Sequence, residues 1–147
     1  MTSLDIIVPV YNEGENIGDT LDAFKRYVQT PFRLLMVYDF DEDNTLPAVR
    51  RAGDKGFEIQ LVKNEGEGVH SAIMTGLRMV EALAALVFPA DEAYNAPIVD
   101  AMYAKFQEGN NVVVASRFMK GGEMRGGPFL KSILVRLASY TLKHLAG

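Results

Sequence analysis

No cysteine occurs anywhere in the 147 residues, which excludes disulfides, a zinc–thiolate centre and a thiol nucleophile. The same absence suits a reducing cytosol. No apolar run approaches the roughly 18–20 residues that a membrane-spanning helix requires. The opening stretch MTSLDIIVPVYNEGEN is acidic and passes straight into a strand-like run, which is not the pattern of a signal peptide. There is no GxGxxG after the first apolar run and no GxxxxGK[ST] at any position, so neither a dinucleotide fold nor a P-loop is supported. GxSxG, the nucleophile turn of α/β-hydrolases, is missing as well. The two histidines, His70 and His144, stand apart from any metal-ligand spacing, and His70 reads as a helix-surface or site-edge residue. Acidic residues vanish between Met124 and Gly147, where Arg125, Lys131, Arg136 and Lys143 give +4; with a net charge of −4, the remainder carries −8. An acidic body argues against general nucleic-acid binding. The basic end suits a local anionic partner.

What is present is the material of one ordinary domain spanning residues 1–147, with 48% of its residues hydrophobic and enough of them for a core. Short apolar runs alternate with helical periodicity. Asp5 to Val10, Arg33 to Asp39, Phe57 to Lys63, the run ALVFPAD that ends at Asp91, and Asn110 to Ser116 read as strands. Helical spacing follows each: Ile17 to Val28 with Asn16 as N-cap, about Pro47 to Ala52, Ala72 to Val80, about Ala96 to Glu108, and about Phe129 to Leu145. Five β-then-α units with nearly continuous apolar strands predict a Rossmann-like α/β fold, a mostly parallel sheet with helices on both faces.

In such sheets the ligand crevice lies outside the carboxyl ends of the strands. The residues expected there are Tyr11, Asn12 and Glu13, the acidic run Asp39 to Asp43, Asn64 to Gly68, Asp91 and Glu92, and Ser116 and Arg117. The edge is acidic and amide-rich, which suits a polar ligand that brings its own cation. Asp91 follows an apolar run that would fix its position, and a carboxylate there can hold Mg²⁺ or Mn²⁺ together with two phosphate oxygens. Arg117, at the end of the fifth apolar run, is suited to pairing with a phosphate. Gly66 and Gly68 allow a helix to start close to an anion, although a plain tight turn is the commoner explanation. Asp39 to Asp43 also fit a solvated loop in which Asp43 or Asn44 caps the next helix.

In this order and spacing, IIVPVYNEGENI, VYDFDEDNT, KNEGEGVHSAIMTGL, PADEAYNAP and VVVASRFMKGG resemble the family 2 glycosyltransferases of GT-A fold. The branch they resemble is that of dolichyl-phosphate mannose synthase and bacterial polyprenyl-phosphate glycosyltransferases. The likeness reaches to about Gly127. It implies that Pro9, Tyr11 and Glu13 contact the nucleotide base and ribose, and that Asp39 and Asp41 complete the nucleoside pocket. It also implies that Asp91, with Glu92, holds a divalent metal (Mg²⁺ or Mn²⁺), and that Arg117 and Lys131 face the diphosphate. The family's first DxD aspartate is Pro89 here, so the metal motif reads Pro-Ala-Asp-Glu.

The implied activity is inverting transfer of a sugar from a nucleotide-diphospho-sugar to an acceptor such as a polyprenyl phosphate, in the cytoplasm at the membrane face. Leu130, Ile133, Leu134, Leu137 and Leu145 share one face of the last expected helix, opposite Ser132, Arg136, Ser139 and Lys143; this pattern fits either ordinary packing or an anionic membrane surface. The acceptor-side segment of such transferases has no counterpart before Gly147, so the resemblance implies a donor-binding half. The alternative is a nucleotide-sugar-binding module without transferase activity. A receiver domain would need its acidic pair after the first strand, where Tyr11 and Asn12 stand. A sugar nucleotidyltransferase would need a basic, glycine-rich turn there.

Overall fold

The computed structural model describes residues 2–116. The chain falls into two compact units, residues 1–113 and 114–147, and every element named below belongs to the first. The elements are β1 (Leu4–Val10), α1 (Ile17–Tyr27), β2 (Phe32–Tyr38), α2 (Thr45–Ala52), β3 (Glu58–Lys63), α3 (Gly68–Arg78), β4 (Ala84–Val87), a 3-10 helix (Ala93–Ile98) and α4 (Val99–Gln107). All strand pairs are parallel, in the order β3-β2-β1-β4. The chain therefore builds outward from β1 to β3, then returns through α3 to the other side of β1. That reversal between β1 and β4 is the topological switch point where α/β sheets open a crevice.

The main core lies on one face, where Leu4, Ile6, Val8 and Val10 of β1 and Leu34 and Met36 of β2 meet Ile17, Leu21 and Phe24 of α1. The apolar positions of α1 recur at three and four residues, the period that places them on one side of a helix. Phe24 packs edge-to-face against Phe88, with ring centroids 4.8 Å apart, which ties the chain leaving β4 to α1. Burying a phenyl ring of this kind contributes ~2–3 kcal/mol. The opposite face is smaller: Ile7, Leu35, Val37 and Val62 are covered by Ala72 of α3.

At the amino edge of this second face, Asp5 and Arg33 pair directly across β1 and β2. The fully buried Asp5 accepts from Arg33 Nε at 3.0 Å and Nη2 at 2.9 Å, and from the Glu81 and Ala82 amides at 2.8 and 3.1 Å. Burial alone would raise the Asp5 pKa, but the guanidinium and the two amides outweigh it and hold the carboxyl below its usual range.

Pro9 sits inside a central strand, where a proline normally costs a ladder bond. The Ile7 carbonyl accepts the Phe88 N–H at 2.9 Å, so Ile7 faces β4, and Pro9, two residues on, faces the same side. The β1–β4 register ends at Ile7 and Val87. With no N–H at Pro9 to give, the ladder toward β4 cannot continue past this point.

Several sequence expectations are corrected. Residues 110–116 form no strand, and Val112 and Val114 are 80% and 75% exposed. Three valines satisfy the pattern of a strand, but a strand also needs a paired neighbour, and the described sheet ends at β4 with none of these residues beside it. The fourth strand stops at Val87 instead of running to Asp91. Helices do lie on both faces, α1 on one and α3 on the other; among the described residues Ala85 and Val87, on the α3 side of β4, are exposed. The helix expected from Ala96 begins as the 3-10 turn Ala93–Ile98, because Pro97 has no N–H for an α-helical bond. Asn16 occupies the N-cap position of α1 without capping it; its amide donates to Glu13 Oε2 at 2.7 Å. The helix expected at 129–145 lies outside the described residues.

Candidate functional site

Because the four strands are parallel, the loops after β1, β2, β3 and β4 all lie at one edge. The first two are bolted together. The Asn12 N–H donates to Asp43 Oδ2 at 3.1 Å, the Glu13 N–H to Thr45 Oγ1 at 2.9 Å, and the Gly14 N–H to Asn44 Oδ1 at 2.7 Å. Asn12 takes a left-handed φ of 56°, a conformation that asparagine tolerates better than most residues. A Cβ on Gly14 would stand 2.8 Å from the Asn44 carbonyl oxygen, so only glycine lets the loops approach this closely. Asp43 is fully buried, and its other oxygen accepts the Thr45 N–H at 2.7 Å, setting the first turn of α2. The solvated-loop reading therefore fails for Asp43, while its capping role holds.

Asp39 leads the second loop and is gripped by the third. Its Oδ1 accepts from Asn64 Nδ2 at 2.7 Å and its Oδ2 from the Gly68 N–H at 2.8 Å. Gly68 has a φ of 79°, open to glycine at little cost. The α3 N-terminus, expected from sequence as an anion site, thus already faces a carboxylate of the chain itself. Asn64 is buried, and its Oδ1 accepts from the Gly66 N–H, Ser71 Oγ and Thr75 Oγ1 at 3.2, 2.9 and 3.0 Å. Asp41 points elsewhere and pairs with exposed Lys63 at 2.6 Å.

Tyr11 is 64% exposed, and its ring stands edge-on to Phe40 at 5.4 Å between centroids. An exposed aromatic held this way offers a flat apolar surface beside the Asp39 carboxylate's loop. Glu13 is half-buried and occupied by Asn16. Pro9 lies just below it at the end of β1.

Asp91 lies in a turn four residues past the end of β4. The sheet does not fix its position directly, as the sequence suggested. The turn is pinned instead through α1, where buried Thr20 Oγ1 donates to the Ala90 carbonyl at 2.6 Å. Asp91 is exposed, whereas Glu92 Oε2 accepts from Asn95 Nδ2 at 2.6 Å. Among the described residues no group of three His, Cys, Asp or Glu side chains could hold a metal by itself. An uncommitted carboxylate still fits Mg²⁺ or Mn²⁺, which bind through one or two carboxylates plus substrate phosphates and waters. His70 is exposed on α3. Arg117 and Lys131 lie outside the described residues.

Asp39 and Asp91 follow β2 and β4, the two neighbours of β1, at the same sheet edge. Two strand spacings separate those strands, about 10 Å. Sequence reasoning missed Thr45 and Thr20 as residues that fix this edge, and it placed Asp43 and Asn64 there without their bonds to the neighbouring loops. The signal available was their chemistry, small polar side chains at strand and helix ends.

The family model "Glycosyl transferase family 2" matches residues 5–144. Dolichol-phosphate mannosyltransferase of Pyrococcus furiosus is 22% identical over 133 residues, covering 89% of this chain and 38% of that protein. The chain thus spans about two fifths of the length of this relative. Among solved structures, S. aureus TarS 1-349 in complex with UDP superposes with a TM-score of 0.64 at 21% identity, over 80% of this chain and 39% of that one. The mannosyltransferase PcManGT from Pyrobaculum calidifontis, in complex with GDP-Man and Mn²⁺, gives a TM-score of 0.54 at 24% identity, over 67% and 33%. These likenesses give the unit the GT-A fold.

Proposed function

Because the chain belongs to glycosyl transferase family 2, we propose that its strand-end crevice binds a nucleotide-diphospho-sugar for inverting transfer of the sugar. The observation that carries this reading is the bolted edge around the β1–β4 reversal. There, Tyr11 and Asp39 stand on one side and Asp91 on the other, on loops that hydrogen bonds hold in place. Tyr11 offers its ring to the base, while Asp39 accepts base N–H groups, and Pro9 and Glu13 complete the nucleoside side; Asp41, paired with Lys63, is left out of it. Asp91, with Glu92 beside it, takes the diphosphate side and would hold Mg²⁺ or Mn²⁺. When bound, such an ion neutralises charge on the departing diphosphate. The family resemblance assigns Arg117 and Lys131 to the diphosphate as well; both lie outside the described residues.

The acceptor proposed is a polyprenyl phosphate, in keeping with the dolichol phosphate in the name of the P. furiosus relative. Its phosphate oxygen forms the new bond to the anomeric carbon as the bond to the diphosphate oxygen breaks, and nucleoside diphosphate departs. A phosphate acceptor is already ionised at neutral pH and needs no general base. Such an acceptor places the reaction at a membrane surface, although no helix among the described residues is long and apolar enough to cross a membrane.

The test is a thermal-shift panel of nucleoside diphosphates with and without Mn²⁺. One or more diphosphates should raise Tm, and Mn²⁺ should increase the effect. A Tm that no nucleoside diphosphate moves under either condition would sink the donor-site reading.

A further inference from the structure

We infer that Asn64 is a positioning residue whose amide fixes the Asp39 carboxylate as an acceptor for N–H groups of the nucleotide base; the inference rests on the donor-site reading above. Asn64 is 7% exposed, and the orientation of its amide follows from its neighbours. The Gly66 backbone N–H can only donate, so the atom it meets at 3.2 Å is the oxygen. The Asp39 carboxylate can only accept, so the atom it meets at 2.7 Å is the nitrogen. The hydroxyls of Ser71 and Thr75 complete the shell around the oxygen. One buried amide therefore reads loop and helix on one side and Asp39 on the other.

The consequence lies in what Asp39 has left. Each carboxylate oxygen already accepts one hydrogen bond, from Asn64 and from the Gly68 N–H, and both donors come from the loop after β3. A carboxylate anchored through both oxygens cannot swing about its side-chain bonds. Asp39 is still half-exposed, and its remaining lone pairs are held in fixed directions. Preorganised acceptors bind N–H groups without an ordering cost at the moment of binding. Asn64 belongs to a glycine-containing turn whose chemistry the donor-site reading leaves unused, and this role accounts for it.

The experiment exchanges one atom. Asn64→Asp keeps the oxygen that the Gly66, Ser71 and Thr75 donors require and replaces the nitrogen facing Asp39 by a second carboxylate oxygen. Affinities for UDP and for GDP, with Mn²⁺ present, are measured calorimetrically between pH 5 and pH 8, beside Tm. Asn64→Asp should weaken the preferred diphosphate about tenfold or more at pH 8. The loss should shrink as pH falls, because two adjacent carboxyls share a proton that restores a hydrogen bond between them. The wild-type protein should show no such recovery.

The reciprocal pair Asp39→Asn with Asn64→Asp restores the bond with its polarity reversed. It should regain Tm without regaining affinity, and it serves equally if Asn64→Asp alone does not fold. Binding by Asn64→Asp that matches wild type at every pH would overturn the inference while leaving the donor site standing, as would full affinity in the reciprocal pair. Absence of diphosphate binding by the wild type sinks the donor-site reading and this inference with it.

Discussion

Asp43, fully buried, accepts the backbone N–H of Asn12 from 31 positions away at 3.1 Å. With its other oxygen on the Thr45 N–H, one carboxylate sets both the loop after β1 and the start of α2. Asp43→Ala would leave the buried Thr45 N–H and the part-buried Asn12 N–H without this partner. A buried unpaired donor costs about 1–3 kcal/mol, so urea unfolding should show a loss of about that size, most of it from Thr45. Nucleoside diphosphate affinity should fall in parallel, since Tyr11 and Glu13 ride on the same loop. A variant as stable as the wild type would show that the loops are held by other contacts.

The Asp5–Arg33 pair, at the other end of the sheet, governs acid stability. The folded Asp5 pKa lies below its usual value, so its contribution is complete above the ordinary carboxylate pKa of about 3.9. The contribution is lost as pH falls from there through the folded value. Asp5→Asn should therefore flatten this part of the acid limb in a stability–pH profile. At neutral pH it should cost about 3 kcal/mol, because buried Arg33 keeps only the exposed Glu81 carboxylate, at 3.2 Å, as counter-charge. An unchanged acid limb would remove Asp5 as its cause.

Asp91→Asn separates ligand chemistry from folding. Asp91 is exposed, and substitutions of that kind change stability by only about 0.5 kcal/mol. Tm without ligand should therefore stay near that of the wild type, while the gain in nucleotide affinity on adding Mn²⁺ should shrink or vanish. Equal Mn²⁺ dependence in both proteins would take Asp91 out of the site.

Thr20→Val tests whether the Asp91 turn is held from below. The substitution keeps the shape of the side chain and removes the donor that meets the Ala90 carbonyl at 2.6 Å. Leaving that buried acceptor unpaired should lower stability by about 1–3 kcal/mol. If the turn shifts as a result, Mn²⁺-dependent binding should weaken although no ligand-facing group has changed. Loss of stability with undiminished Mn²⁺-dependent binding would show that the turn holds its place by other means.

The four central strands were legible in the sequence because near-continuous apolar runs on a parallel sheet have few other readings. Residues 110–116 show the limit: Val112, Val113 and Val114 fit a strand, but pairing depends on an available edge, and the edge is not written in the segment that would use it. The acidic run from Asp39 to Asp43 shows a second limit. Four carboxylates look alike in sequence, yet Asp39 meets Asn64, Asp41 meets Lys63, and Asp43 is buried under Asn12. Which of them points to the crevice is decided by the amides of loops distant in the chain. Asp91 was singled out by its apolar approach, while the support of its turn through Thr20 comes from a helix 70 residues earlier and left no local trace.

Pro9 gives the sheet a built-in stop that no loop could supply. A parallel ladder tends to run on for as long as both strands offer donors and acceptors. Past Ile7, the next group that β1 turns toward β4 has no hydrogen to give. β1 thus continues beside β2 to Val10, while its pairing with β4 ends at Ile7. One imino acid lets the same strand keep a long neighbour on one side and a short one on the other.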